Sequence, residues 1–249
     1  MTSGSRIAIF GATSDIAAAY ARRSAEGKAR LALFARDAAA LDALKADLVV
    51  RGAAEVQTFA ADFTDFSALP GLARTALTAL GGLDVALVAY GSLPDQKTLN
   101  TDPAALRAAL DLNFTSPAML ANLLAEGLEP ARAGAIAVIT SVAGDRGRQS
   151  NYGYGAAKGG LQTFLDGLRH RLAPAGVHVL DIRPGFVATK MTAHLPQGGP
   201  LWATPDKVAT DIAGALRKRS AVLYTPWFWW GIMTIIRAVP RAVFHRTKL

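Results

Sequence analysis

Tyr154 and Lys158 are spaced to act as a pair. Residues four apart on a helix share a face, so the Lys158 ammonium stands beside the Tyr154 ring. A free tyrosine has a pKa of about 10, too high for efficient proton exchange near neutrality. A neighbouring cation favours the phenolate and lowers that value. Tyr152 is a decoy, because a spacing of six from Lys158 puts the two on different helix faces. Ser141 precedes Tyr154 by thirteen residues and closes a buried-strand pattern, Gly134–Thr140, with Gly144 and Gly147 in the loop between them. Asn113 lies upstream in the helical stretch Leu110-Asp111-Leu112-Asn113-Phe114. Plain structural roles compete with chemistry here: Ser141 as a loop cap, Asn113 as a helix breaker.

A second set of residues suits phosphate and ribose. The first strand pattern ends in Phe10-Gly11-Ala12-Thr13-Ser14-Asp15-Ile16-Ala17 and opens a helix. Such a turn presents backbone N–H groups and a positive helix end to a pyrophosphate. Gly11 permits the tight turn, and Ser14 and Asp15 are good helix starters. Asp15 and Ala17 stand where a glycine-rich motif would have glycines, so the turn alone says little. The second strand ends in Ala35-Arg36-Asp37, where a dinucleotide fold meets the adenosine ribose. An arginine there accommodates a 2′-phosphate, so Arg36 favours NADP(H) over NAD(H). Alternatively, Arg36 is a solvated loop residue and Asp37 a helix cap. After the third strand, Asp62 is placed to hydrogen-bond adenine and Phe63 to pack on it, unless Asp62 only caps a turn.

These residues need a scaffold that brings strand ends together. Short apolar, β-branched runs at Arg6–Phe10, Arg30–Phe34, Glu55–Ala60, Asp84–Ala89, Gly134–Thr140 and Val177–Ile182 predict strands, with a seventh at Ala221–Tyr224. Helical periodicity lies between them, at Asp37–Arg51, Thr101–Leu112, Ala118–Glu129 and Tyr154–Leu172. Strands alternating with crossover helices give an α/β fold, a single-domain, Rossmann-type doubly wound parallel sheet with helices on both faces. No Gly/Ser or Pro linker and no solenoid repeat divides the chain.

Beyond the sixth strand comes Arg183-Pro184-Gly185-Phe186-Val187-Ala188-Thr189. The Ser141–Tyr154–Lys158 spacing, the upstream Asn113 and this Pro-Gly turn resemble the short-chain dehydrogenase/reductase superfamily over essentially the whole chain. The resemblance implies interconversion of a ketone and a secondary alcohol with a nicotinamide coenzyme. It implies that Tyr154 exchanges the proton, that Ser141 hydrogen-bonds the reacting oxygen, and that Lys158 binds the nicotinamide ribose and lowers the Tyr154 pKa. Asn113 would hold a water through its main chain at a helix irregularity. Pro184, Gly185, Val187 and Thr189 would line the nicotinamide, the last two near its carboxamide. Where the family has Asn-Asn-Ala-Gly after the fourth strand, this chain has Val88-Ala89-Tyr90-Gly91, whose small Ala89 and Gly91 still admit a coenzyme. A catalytically silent dinucleotide sensor is the alternative from another class, and the retained Tyr154 and Lys158 argue against it.

The end of the chain departs from the superfamily. Ala221–Ile236 contains Trp227-Phe228-Trp229-Trp230 and Ile232-Met233-Thr234-Ile235-Ile236, followed by Arg237, Arg241, His245, Arg246 and Lys248. This run, interrupted by Pro226, is shorter than the roughly 20 residues a bilayer span needs. Residues 1–224 are therefore expected to form the catalytic unit. Residues 225–249 are expected to serve as a substrate lid, membrane-interface element or oligomer contact. The Gly-Ala-Thr-Ser-Asp-Ile turn, the Ala-Tyr-Gly segment and this tail resemble one branch of the superfamily. It is the reductase half of the two-protein epimerase that makes decaprenylphosphoryl-arabinose, which reduces a 2-keto pentose on a polyprenyl phosphate. A soluble ketone or 3-ketoacyl thioester is the alternative substrate. Relatives are commonly dimers or tetramers, so a homo-oligomer is expected.

Composition narrows the rest. An apolar share of 51% and a charged share of 18% suit a large core rather than disorder. The absence of cysteine excludes disulfides and thiolate chemistry, and the four histidines have no metal-ligand spacing. A net charge of +8 could attract anions, but no nucleic-acid-binding motif accompanies it. Met1–Arg6 does not read as a signal peptide, which points to the cytoplasm, with peripheral contact at the inner face of the membrane.

Overall fold

The computed structural model describes residues 4–247, so Met1, Thr2 and Ser3 of the N-terminal reading and Lys248 of the basic tail lie outside the described residues. Strands β1 (Arg6–Phe10), β2 (Arg30–Ala35), β3 (Glu55–Ala60), β4 (Val85–Val88), β5 (Ala135–Ile139) and β6 (His178–Pro184) come first. The short β7 (Phe186–Val187) and β8 (Trp202–Ala203) pair with each other, and β9 (Val222–Thr225) completes the set. The main sheet has the order β3-β2-β1-β4-β5-β6-β9, parallel throughout. The order reverses between β1 and β4, and the crevice outside their carboxyl ends is where such sheets bind ligands.

Helices α1 (Asp15–Glu26), α2 (Ala38–Val50), α3 (Leu69–Thr78), α4 (Gln96–Thr101), α5 (Pro103–Leu110), α6 (Ser116–Ala131), α7 (Tyr152–Leu172) and α8 (Pro205–Lys218) form the crossovers. Helices α9 (Phe228–Ala238) and α10 (Arg241–Phe244) follow β9. Alternate strand residues face opposite layers. Ile7, Ile9, Leu31 and Leu33 pack with Val208 and Ile212 on one side. Ala8, Phe10, Ala32 and Phe34 pack with Leu120, Leu124, Leu161 and Leu165 on the other.

The helix expected over Thr101–Leu112 is instead two helices and a π turn. Asp102 ends α4 and caps α5 by accepting from the N–H groups of Ala104 and Ala105, and Pro103 takes the first helical position, where its missing N–H costs nothing. The π turn then spans Asp111–Thr115. Helix α7 begins at Tyr152, two residues earlier than expected, and α6 extends past both predicted ends.

Candidate active site

At the carboxyl end of β1 the chain turns sharply. Gly11 donates to the Phe34 carbonyl at 2.8 Å with φ of +79°, and a Cβ there would lie 2.7 Å from the Tyr90 nitrogen. Only glycine fits this approach. Ser14 precedes α1 but its hydroxyl caps nothing; it is buried without a partner, facing the cavity. Asp15 ties the turn to the loop after β7 by accepting from the Lys190 N–H at 2.7 Å. Ile16 lines the same cavity.

The adenosine side agrees with the sequence only in part. Arg36 is exposed past β2, while Asp37 caps α2 by accepting from the Ala40 N–H at 2.9 Å. Asp62 accepts from the Thr64 N–H and hydroxyl at 2.9 and 2.7 Å, forming the turn cap foreseen as its alternative role. Those bonds, with Arg36 nearby, hold its carboxyl below the usual range. Phe63 corrects the expectation of adenine packing. Its ring lies in the core, stacked on Tyr90 with centroids 4.1 Å apart and meeting the edge of Phe10. Tyr90 donates to the Ser116 hydroxyl at 2.8 Å, and Ser116 donates to the Phe63 carbonyl at 2.5 Å. The unusual Tyr90 thus clamps Phe63 inward. Ala89 and Gly91 line the cavity on either side of it.

Four polar residues converge where β4, β5 and α7 meet. Asn113 is fully buried within the π turn, the irregularity expected at this position. Its side chain accepts from the Ser92 N–H at 3.0 Å and donates to the Ala109 carbonyl at 3.0 Å. A Cβ on Gly91 would sit 2.8 Å from the Asn113 oxygen and 3.6 Å from Lys158 Nζ, which shows how closely the three gather. Lys158 is buried, donates to the Ile139 carbonyl at 3.1 Å, and lies 5.8 Å from the Tyr154 ring centre. Ser141 Oγ accepts from the Ala143 N–H at 3.1 Å, so its cap role coexists with its place in the cavity. Gly155 and Gly159 let α7 press on the turn after Ser141, since a Cβ on either would stand 2.9 Å from the carbonyl of Ala143 or Gly144. That close packing sets Tyr154 against Ser141. Tyr152, by contrast, donates outward to Asn100 at 2.5 Å.

The titration behaviour reverses one expectation. Burial pushes the Tyr154 hydroxyl up to about 12, opposed by its hydrogen bond with Ser141. Burial also brings Lys158 down to about 8, opposed by the charge of Asp181. In the protein by itself, desolvation outweighs the help of the cation. Among the described residues, no cluster of three or more His, Asp or Glu is placed to hold a metal.

The family model for short chain dehydrogenase matches residues 5–199. The chain belongs to the short-chain dehydrogenase family. It is 36% identical over 245 residues to an uncharacterized oxidoreductase of Mycobacterium tuberculosis, covering 98% of both chains. An uncharacterized oxidoreductase of Streptomyces coelicolor is 33% identical over 243 residues, with 96% of this chain and 94% of that one covered. The fold matches a short-chain dehydrogenase from Sphingobium yanoikuyae in complex with NADPH, with a TM-score of 0.81 and 24% identity, covering 95% and 96% of the chains. This short-chain dehydrogenase is thus a nicotinamide-dependent oxidoreductase acting on a CH–OH group.

The rest of the cavity, ≈ 370 Å³ in volume, is lined in this short-chain dehydrogenase by residues outside the expected site set. Arg148 and Asn151 enter it from the loop between Ser141 and Tyr154, and Trp229 enters it from α9. Position in that loop is a usable signal for the first two; the aromatic run offered as a candidate substrate lid includes Trp229, with nothing local to separate it from its neighbours. Its indole rests on Gly185, where any Cβ would collide with it, so Gly185 serves tail packing as well as the turn. Pro184, Val187 and Thr189 line the floor. Beneath the turn after Ser141, Arg183 bridges the buried Asp181 and Asp145 at 2.7 and 2.9 Å, and Tyr224 donates to Asp145 at 2.8 Å. This network fastens β6 and β9 to the Ser141 turn. Arg146 holds the end of α9 through the carbonyls of Ile236 and Val239 and covers the Phe244 ring at 3.8 Å. A larger open cleft, ≈ 810 Å³, runs along the outer faces of α1 and α2, but it contains none of the four converging residues.

Proposed function

We propose that this chain is an NADP(H)-dependent reductase of a ketone, working reversibly on the secondary alcohol, with Tyr154 as proton carrier. The observation that carries this reading is the convergence of Asn113, Ser141, Tyr154 and Lys158 in one cavity at the carboxyl edge of the sheet. The coenzyme fits the residues present. Gly11 leaves the backbone bare for phosphate, the Ser14 hydroxyl is buried and unpartnered, and Ile16, Ala89, Gly91 and the Pro184–Thr189 segment form a continuous trough. When bound, the coenzyme supplies the hydride. Lys158 holds the nicotinamide ribose, and Ser141 donates to the carbonyl oxygen as charge develops there. Tyr154 delivers its proton to that oxygen, and Asn113 fixes the turn that replenishes it through solvent.

Arg36 supports NADP(H): among the described residues it has no carboxylate within ion-pair distance, and it is exposed at the end of β2. The structural neighbour's NADPH supports the same choice. The deciding experiment is Tyr154→Phe, which should bind NADPH normally and lose turnover by about three orders of magnitude or more. Wild-type turnover in that variant would end the assignment.

A specific observation favours an amphiphilic substrate, such as a sugar on a polyprenyl phosphate, over a soluble ketone or acyl thioester. Helix α9 buries Trp229 and Met233 but leaves Trp227, Trp230 and Ile235 at 78%, 62% and 68% exposure. Arg237 and Arg241 lie beside them. Aromatic and aliphatic side chains rimmed by cations suit an anionic lipid surface. No described helix is long and apolar enough to cross a membrane. On this reading residues 1–224 are the catalytic unit and the following segment brings it to the lipid. Vesicles containing phosphatidylglycerol should pull down the intact protein, and a Trp227→Ser/Trp230→Ser/Ile235→Ser variant should stay in solution. Equal partitioning of both, or a stable homodimer that the triple change splits, would overturn the lipid reading.

A further inference from the structure

The polar atoms left without partners are not scattered. Within the described residues, five buried side-chain nitrogen or oxygen atoms lack a hydrogen bond. Four of them belong to residues lining the same cavity: Ser14 Oγ, Arg148 Nε, Asn151 Oδ1 and Trp229 Nε1. A buried polar group without a partner loses its hydration for nothing in return, so a folded protein keeps few of them, and each calls for something that completes it. Ser14 stands at the coenzyme turn. The other three are Arg148, whose guanidinium meets the carbonyl of Val142 next to Ser141, Trp229, which packs on Val142, and Asn151, at the start of α7; the coenzyme reading gives none of them a role.

Their chemistry is specific. Trp229 Nε1 and Arg148 Nε are both donors, so the group they await is an acceptor. Arg148 is also a cation without a matching anion. Its guanidinium touches the Met233 sulfur at 3.2 Å and the Val142 carbonyl at 3.4 Å, neither of which carries charge. Asp145 is the nearby carboxylate, and both of its oxygens are engaged, one by Arg183 at 2.9 Å and one by Tyr224 at 2.8 Å. Burial accordingly pulls the Arg148 pKa down, with Asp145 only partly offsetting it. A partly buried cation beside a second unmatched donor is an incomplete anion site. Asn151 adds an acceptor, suited to a hydroxyl on the same ligand.

We propose that the substrate carries an oxyanion, a carboxylate or a phosphate ester, near its carbinol carbon, and that Arg148 and Trp229 bind it while Asn151 takes a neighbouring hydroxyl. This rests on the ketoreductase reading only for the name of the ligand; the anion site stands on its own residues. Trp229 comes from the tail helix, so the element that could approach a lipid also reads the polar end of the substrate.

The test uses the full chain saturated with NADP⁺ and two matched pairs of probes. Acetoacetate against ethyl acetoacetate isolates a carboxylate, and dihydroxyacetone phosphate against dihydroxyacetone isolates a phosphate ester. Calorimetry should show the anionic member of at least one pair binding about tenfold tighter or better, and which pair does so names the anion. Arg148→Met should erase that preference without weakening the neutral probe. Trp229→Phe, which keeps an aromatic ring but removes the N–H together with the pyrrole part of the indole, should weaken the anion about threefold to tenfold while the neutral member of the pair, which shares any loss of packing, weakens less. Arg148→Lys keeps the charge and should retain part of the preference, separating loss of the site from loss of the fold. NADPH affinity should be the same in all variants. The proposal fails if the neutral probes bind as well as the anions, if neither anion binds at millimolar concentration, or if the variants bind anions like wild type. It also fails if NADPH affinity falls instead. Tyr154→Phe should bind the anion normally, so retained turnover in that variant would sink the proton-carrier reading and leave the anion site standing.

Discussion

Two sets of residues lining the cavity are built on opposite plans. On the wall made by β5, α7 and the π turn, the polar groups are satisfied inside the protein. Asn113 is bonded to Ser92 and Ala109, Lys158 to Ile139, and Ser141 to Ala143. In the second set, Arg148, Asn151 and Trp229 each keep a buried atom unmatched. Reacting groups must be fixed before the substrate arrives, because reorganisation during the reaction would raise the barrier. Recognition groups gain by staying open, since their satisfaction is what binding contributes. The family match, which ends at residue 199, contains the whole first wall and also Arg148 and Asn151; only Trp229 lies beyond it.

The sharpest way to break the comparison is to unfasten the prearranged wall. Asn113→Leu keeps the branching of the side chain but strips the Ser92 N–H and the Ala109 carbonyl of their partner. Turnover should fall by about two orders of magnitude, and stability by about 1–3 kcal/mol in urea denaturation. Normal kinetics in a stable Asn113→Leu protein would mean that the wall does not need its internal bonds.

The next change attacks the open set. Gly185→Ala places a methyl group against the Trp229 indole, and overpacking of that kind costs about 1–3 kcal/mol. The expected outcome is expulsion of the buried indole, read as a red shift of tryptophan emission, with substrate kcat/KM reduced about tenfold and NADPH affinity little changed. An unshifted spectrum would show that the indole does not lean on Gly185.

These two cases also show what the sequence could and could not reveal. Tyr154, Lys158 and Ser141 were legible because helix spacing and the end of a buried strand are local properties. The doubly wound parallel sheet followed from the alternation of elements, and the irregularity at Asn113 was anticipated. Phe63 misled because an aromatic residue at a strand end can face either way, and Tyr90 with Ser116 decides it from elsewhere in the chain. The direction of the Tyr154 shift misled because the sequence shows the cation but not the depth of burial. Trp229 was legible only as one of several aromatic residues in a segment with a substrate lid among its expected roles; only the packing of α9 on Val142 and Gly185 selects it.

Arg36 offers a milder test at the coenzyme end, where the side chain is exposed. Arg36→Ala should weaken NADPH by about tenfold and NADH by less than about twofold, with the difference shrinking as salt rises. Equal weakening of both coenzymes would detach Arg36 from the 2′-phosphate and return the preference to NAD(H).

The smallest effect concerns how closed the prearranged wall is without a coenzyme. Lys158 falls from 10.5 in the unfolded chain to about 8 in the folded one. Below pH 8 both states hold the proton, and the penalty for burying the charge is present in full. Between about pH 8 and 10 the unfolded chain binds more protons, so stability rises with pH, by at most about 1.4 kcal/mol per pH unit. Tyr154 acts in the opposite sense and later: its value rises from 10.0 to about 12, so its contribution declines only above pH 10. Urea denaturation of the coenzyme-free protein at pH 7, 8, 9 and 10 should therefore show a stability gain that Lys158→Met lacks. Parallel curves for the two proteins would mean that Lys158 meets solvent freely before the coenzyme binds. The reacting wall would then be as open as the recognition residues, and the division of labour between them would have to arise on binding.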